Sequence, residues 1–187
     1  MSPSRIVLET PRLLLRPPVA EDLEGFAALL ADPESARFIG GVQPRTMAWR
    51  ALCVMAGAWA LQGAAMFSVL EKATGAWVGR VGPWHPEGWP GPEIGWGLRR
   101  EFWGRGYATE ASEATLDWAF EHLGWTDVIH CIAPENTPSK QVALRLGSSP
   151  RGPAPLPPPF DSKPVEIWGQ HRDTWRARRQ TPPGRPG

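Results

Sequence analysis

Apolar residues along this chain alternate between short β-type runs and helical stripes, and that mixture predicts an α/β (α+β) domain. Leu8, Leu13, Leu14 and Leu15 make a first strand that stops before Pro17. Residues 19–31 predict a helix, with Leu23, Phe26, Ala27 and Leu30 on one face. Glu21 and Asp22 fall in its first turn, where they favour the dipole. Residues 45–61 predict a second helix, turned inward through Trp49, Leu52, Cys53, Ala56 and Trp59 or Ala60. Two β-type runs, 64–71 and 76–81, flank a turn at Thr74-Gly75, and a turn-rich loop at 83–92 leads to a strand at 93–98. The strongest helical period covers 109–123, with Gly124 placed to end it. A buried strand at 128–132 and a short helix at 139–146 follow. The prolines of 149–159 argue against regular structure there, and 164–168 returns as a strand. Residues 1–178 read as one domain and 179–187 as a disordered tail. The order β-α-α-β-β-β-α-β-α-β fits helices packed on a mostly antiparallel sheet.

The most informative stretch is 98–111, LRREFWGRGYATEA. A strand runs into a glycine-spaced turn, and the turn opens a helix. Gly104 and Gly106 let backbone approach a bulky ligand, and the helix start presents unpaired amides and partial positive charge, which suits a phosphate or pyrophosphate. A Walker A loop needs Lys-Ser or Lys-Thr after its last glycine, and none is present. A dinucleotide fingerprint needs a third small residue where Thr109 stands and an N-terminal βαβ setting, which this mid-chain position does not provide.

The string WGRGYATEA resembles motif A of the GNAT superfamily of N-acetyltransferases, in its RimJ/RimL-like branch. Three further stretches are similar to that branch and fall in its order: LETPRLLLR at 8–16, NTPSKQVALRLG at 136–147 and EIWGQHRDTW at 166–175. Trp103 stands where the wider family has Gln or Arg, and Ser148 stands where its Leu-Gly-Phe ending has Phe. The resemblance implies a GNAT fold, with a mixed, mostly antiparallel sheet whose fourth and fifth strands, at 93–98 and 128–132, splay apart. It implies acetyl-CoA as cosubstrate, with the pantetheine arm in that gap, and a primary amine as acceptor, either a small molecule or a protein N-terminus.

Carried onto this chain, the resemblance makes Glu93 the general base and Ser139 the proton donor to the departing thiolate. A carboxylate beside Trp89 and Trp96 is placed to have its pKa raised toward a working value. Glu93 as a structural strand end, and Ser139 as a plain helix-start residue, are the competing readings. Backbone at Trp96, Gly97 and Leu98 is expected to hold the oxyanion. Amides from Trp103 through Gly104, Arg105, Gly106, Tyr107 and Ala108 to Thr109 are expected to hold the pyrophosphate. Asn136 would bind the pantetheine amide and Lys140 would reach the phosphates. His130 reads as a core residue before a catalytic one, and His85 falls in the loop near the acceptor pocket. Trp77, Trp84, Trp89 and Trp96 are expected around the acceptor mouth, with core packing as the plainer account.

Composition narrows the partners. The chain has 187 residues, 42% of them hydrophobic, enough for one well-filled core, and 11 are Trp. A net charge of +1 supplies no global field toward nucleic acid or membrane, and the arginines near the C-terminus read as a solvated tail. Cys53 and Cys131 form no metal pattern, and no metal is expected. Neither a secretory signal nor a membrane-spanning run is seen, so a cytoplasmic monomer or homodimer is expected. A non-catalytic CoA-binding or sensor module is the alternative function.

Overall fold

Eight strands form one continuous sheet in the computed structural model, which describes residues 6–180. In chain order the elements are β1 (Leu8–Glu9), β2 (Leu13–Arg16), α1 (Leu23–Ala31), α2 (Pro33–Ala36), α3 (Arg45–Gln62), β3 (Phe67–Glu71), β4 (Trp77–Trp84), β5 (Glu93–Leu98), α4 (Tyr107–His122), β6 (Asp127–Ile132), α5 (Thr137–Leu146), β7 (Ser149–Ala154), β8 (Val165–His171) and α6 (Arg172–Gln180). The sheet order is β1-β2-β3-β4-β5-β6-β8-β7. Every neighbouring pair is antiparallel except β5 and β6.

The largest core cluster lies under α1, α3 and one side of α4, where Phe26, Leu52, Trp59, Phe67, Val69, Trp77 and Trp118 pack together. Trp59 meets Phe67 edge-on at 4.9 Å, and Phe67 meets Trp118 edge-on at 5.3 Å, the geometry aromatic quadrupoles favour. A second cluster joins α4 to β5, β6 and α6 through Ile94, Leu116, Phe120, Val128, Leu146 and Trp175.

Several expectations are corrected. α3 buries Ala48, Leu52, Met55 and Trp59, while Trp49, Cys53, Ala56 and Ala60 face outward. Both stripes are apolar and lie one residue apart around the helix, so periodicity alone does not choose between them. Residues 149–154 form a strand despite Pro150 and Pro153. β7 is the last strand of the sheet and is bulged between Pro150 and Gly152, which is where proline is tolerated. α1 is shorter than expected, because residues 20–22 form a separate 3-10 turn. α4 begins two residues early, because Gly106 takes a left-handed φ of +79° and serves as its N-cap. Arg179 and Gln180, assigned to a disordered tail by sequence, belong to α6, and Arg179 bonds Asp117 at 2.9 Å. Residues 181–187 of that expected tail lie outside the described residues.

Candidate active site

The site is a gap in the sheet. β5 and β6 share a single register pair, Glu93 with Ile129, closed on one side by the Ile129 amide on the Pro92 carbonyl at 2.8 Å. In a parallel ladder the next rung would carry the Cys131 amide to the Ile94 carbonyl. Two side chains intercept it. The Cys131 amide donates instead to Glu93 Oε1 at 3.0 Å, and the Ile94 carbonyl accepts from His130 Nδ1 at 2.6 Å. Each backbone group keeps a partner, so the strands part at no cost in buried unsatisfied groups. Strand alternation then turns the amides of Trp96 and Leu98, like the Ile94 carbonyl, toward the opening.

His130 is 1% exposed and its role is structural. A carbonyl only accepts, so Nδ1 carries the proton and Nε2 accepts from the Ser148 hydroxyl at 2.9 Å. Gln170 Nε2 in turn donates to Ser148 Oγ at 3.0 Å. Burial holds the imidazole neutral, with its pKa pushed down to about 4.

Glu93 is 6% exposed. Trp89 Nε1 donates to its Oε2 at 2.6 Å. Burial raises its pKa, against the bonds from Cys131 and Trp89 and the charge of Arg80, which lower it. A carboxyl whose pKa is raised in this way is a stronger base than a free one. Burial also pushes the Cys131 thiol up, with Glu93 adding to the effect, so that thiol stays protonated.

Ser139 stands at the other lip of the gap. Trp96 Nε1 donates to Ser139 Oγ at 3.1 Å, so Trp96 spans from β5 to the first turn of α5 and leaves the serine proton available. Asn136 caps α5 through Oδ1, which accepts from the Ser139 amide at 3.2 Å. Its amide nitrogen makes no bond among the described residues. Lys140 is paired with Glu166 at 2.8 Å, so its charge is directed to that carboxylate.

The glycine-spaced turn sits at the end of β5. The Trp103 amide is used by the Arg100 carbonyl at 3.1 Å, and Trp103 Nε1 bonds the Leu98 carbonyl at 2.8 Å. From Gly104 to Thr109, in contrast, no amide has an acceptor among the described residues. This is a run of donors at the positive end of α4. Two carboxylates lock its frame. Glu71 accepts from the Tyr107 hydroxyl at 2.6 Å and from Arg105 at 3.4 Å, and Glu110 takes Thr10, the Arg12 amide and the Arg12 guanidinium. The Tyr107 side chain is therefore buried in this frame and presents no face to a ligand; only its backbone faces the turn. Arg12, which sequence reading missed, reaches within 3.5 Å of where a Cβ on Gly106 would lie.

The other face of β5 carries Glu93, Gly95 and Gly97. Met66 Cε lies 2.6 Å from the Cβ position of Gly95, and Ile39 and Arg80 lie over Gly97. Arg80 also escaped sequence reading; its one signal was its place opposite Gly97 in the ladder. The expected tryptophan cluster divides. Trp84, Trp89 and Phe160 meet edge-on, at 6.4 and 6.2 Å. Trp77 is core, packed on Phe26 at 5.0 Å, and Trp96 points into the gap on the other face. His85 is exposed and its ring meets Trp125 instead of Glu93. Among the described residues no group of three or more His, Cys, Asp or Glu is arranged to hold a metal ion, and no helix is long and apolar enough to cross a membrane.

Comparison with known proteins places this arrangement. The acetyltransferase (GNAT) domain model matches residues 12–149. The uncharacterized N-acetyltransferase p20 of Bacillus licheniformis is 32% identical over 149 residues, covering 78% of this chain and 83% of the relative. An acetyltransferase structure from Agrobacterium tumefaciens superposes with a TM-score of 0.77 at 32% identity, over 90% of this chain and 96% of that one. A putative ribosomal-protein-serine acetyltransferase from Vibrio cholerae, 22% identical, shares the fold with a TM-score of 0.75, over 91% of this chain and 99% of that one.

Proposed function

Because this chain belongs to the GNAT acetyltransferase family, we propose that it moves an acetyl group from acetyl-CoA to a primary amine by direct attack in a ternary complex. The observation that carries the proposal is the interrupted rung between β5 and β6. It opens a cleft with backbone donors on one wall, a serine hydroxyl on the other and a buried carboxylate at its root.

Each residue has a task in this reading. The pyrophosphate rests on the amides of Gly104, Arg105, Gly106, Tyr107, Ala108 and Thr109, with Arg12 and Arg105 supplying charge. The pantetheine arm lies in the gap, beside Gly97 of β5 and the unbonded amide nitrogen of Asn136. The thioester oxygen points at the amides of Trp96 and Leu98, where negative charge develops. Glu93, with its raised pKa, takes the proton of the incoming ammonium, directly or through a water. Ser139 gives its proton to the departing thiolate while Trp96 holds its oxygen, and the proton that the amine nitrogen sheds on forming the amide restores the hydroxyl. Positioning alone supplies roughly 7–11 kcal/mol of such a barrier, so no covalent intermediate is required. The chain forms one domain that α6 completes at Gln180, and the protein works as a monomer or homodimer in the cytoplasm.

A second reading draws on one observation. Both oxygens of Glu93 already hold protein donors, so the residue is accounted for by its structural bonds alone. On that reading the chain is a non-catalytic CoA-binding or sensor module. Calorimetric titration with acetyl-CoA, together with thiol release across a panel of amines and N-terminal peptides, separates the two. Binding with amine-dependent release is the expected result. Binding with no release from any amine favours the sensor, and absence of binding refutes both.

A further inference from the structure

Five cationic side chains among the described residues are not exposed: Arg16, Arg80, Arg99, Lys140 and Arg172. Four have a carboxylate within 4 Å, namely Asp22, Glu101, Glu166 and Asp173 respectively. Arg80 has none, and it makes no hydrogen bond among the described residues. Burying a guanidinium without a partner is costly, and the cost is tolerated where a ligand supplies the missing anion.

The position of Arg80 says which ligand. It pairs with Gly97 across β4 and β5, and its Nε lies 3.8 Å from where a Cβ on Gly97 would be. The Glu93 carboxylate lies on the same face, with Oε1 3.5 Å from the corresponding point on Gly95. An opposite pair of charges therefore faces a strip of β5 that carries no side chains. Over that strip lie Ile39, at Gly97, and the methyl end of Met66, at Gly95, an unbranched side chain that repacks easily. Same-face neighbours lie about 7 Å apart along a strand. A hydrogen bond of about 2.8 Å at each end adds about 5.6 Å to an amino-acid headgroup, a reach of the same order as that spacing.

We propose that the acceptor is a free amino acid, its amine beside Glu93 and its carboxylate seated on the Arg80 guanidinium. This rests on the reading of the Glu93 face as the acceptor side and gives that side a substrate class. Arg80 is then the specificity-determining residue, since a guanidinium fork matches a carboxylate in geometry as well as in charge. An extended polypeptide N-terminus is a poor fit, because its α-carboxyl is consumed in a peptide bond.

The test compares three forms of each acceptor: L-alanine with ethylamine and alanine methyl ester, and L-phenylalanine with phenethylamine and phenylalanine methyl ester. Thiol release gives kcat and KM, and saturation-transfer NMR on the acetyl-CoA-loaded protein gives binding without chemistry. The free amino acid is expected to exceed its decarboxylated and esterified forms by roughly 100-fold in kcat/KM. Arg80→Met is expected to erase that preference mainly through KM, with the acetyl-CoA dissociation constant unchanged within about twofold. Arg80→Lys is expected to restore part of it, which separates lost charge from lost packing. Equal use of amine and amino acid by the wild-type protein overturns the proposal, as does an equal loss for both in Arg80→Met. If no amine releases thiol but amino acids bind in an Arg80-dependent way, the substrate class stands and the transferase reading falls. If amino acids neither react nor bind, the substrate class itself is wrong.

Discussion

His130→Asn tests the idea that an uncharged imidazole holds the sheet open. The folded protein keeps His130 at about 4, whereas an unfolded chain titrates near 6.5. The folded pKa is the lower one, so between these values the unfolded state binds the extra proton, and stability falls as the pH drops. Integrating over the two pKa values gives a loss of about 2 kcal/mol between pH 7 and pH 5, a large share of a typical margin. Protonation also makes Nε2 a donor, so the Ser148 hydroxyl must accept from it and turn its own proton away. Glu93 contributes with the opposite sign: its folded pKa is raised, so its effect on stability improves as the pH falls toward its unfolded value. Cys131 stays protonated throughout this range. Asparagine keeps an N–H near the Nδ1 position for the Ile94 carbonyl and removes the titration; it also removes the Nε2 acceptor of the Ser148 hydroxyl, at both pH values alike. Urea unfolding followed by circular dichroism at pH 7 and pH 5 should show the wild type losing about 2 kcal/mol more than the variant over that interval. If the two lose stability in parallel, within about 0.5 kcal/mol, the imidazole is not the titrating group and the account of the intercepted rung is wrong.

Glu93→Gln should lower kcat by about 100-fold or more while leaving acetyl-CoA affinity within twofold; unchanged turnover would leave Glu93 with only its bonds to Trp89 and the Cys131 amide. Gly104→Ala meets no atom within 4 Å but must hold φ at +71°, so thermal unfolding should register roughly 1–2 kcal/mol of strain. Trp175→Ala removes a ring that is 2% exposed and whose Nε1 donates to Asp117 at 2.7 Å; a loss of about 3–5 kcal/mol in chemical denaturation is expected, and a loss below 1 kcal/mol would show that α6 is not part of the folding core.

Local patterns were legible wherever one physical signal dominated. β5 has the same bounds in sequence and structure, because Arg99 and the glycine turn end it, and α4 is displaced only by the cap geometry of Gly106. The buried face of α3 was not legible, since two apolar stripes compete and only the neighbours of the helix decide between them. β7 was hidden by its prolines, whose missing amides matter only inside a sheet and not at its edge. In the site, the turn, Ser139 and Glu93 were found as motif positions. What could not be read was a relation between distant residues: that Cys131 would give its amide to Glu93, that Tyr107 would be taken up by Glu71, and that Arg80 would be left without a partner across from Gly97.

The single rung between β5 and β6 also divides the chain in time. β1 to β5 pair strictly in sequence order, so every backbone ladder of that half is complete within residues 8–98. β6, β8 and β7 pair among themselves within 127–171. A nascent chain leaving the ribosome can therefore close the first meander before the second exists, with α4 emerging as the crossover between them. The seam that opens the cleft is then the junction where these two halves of the sheet meet.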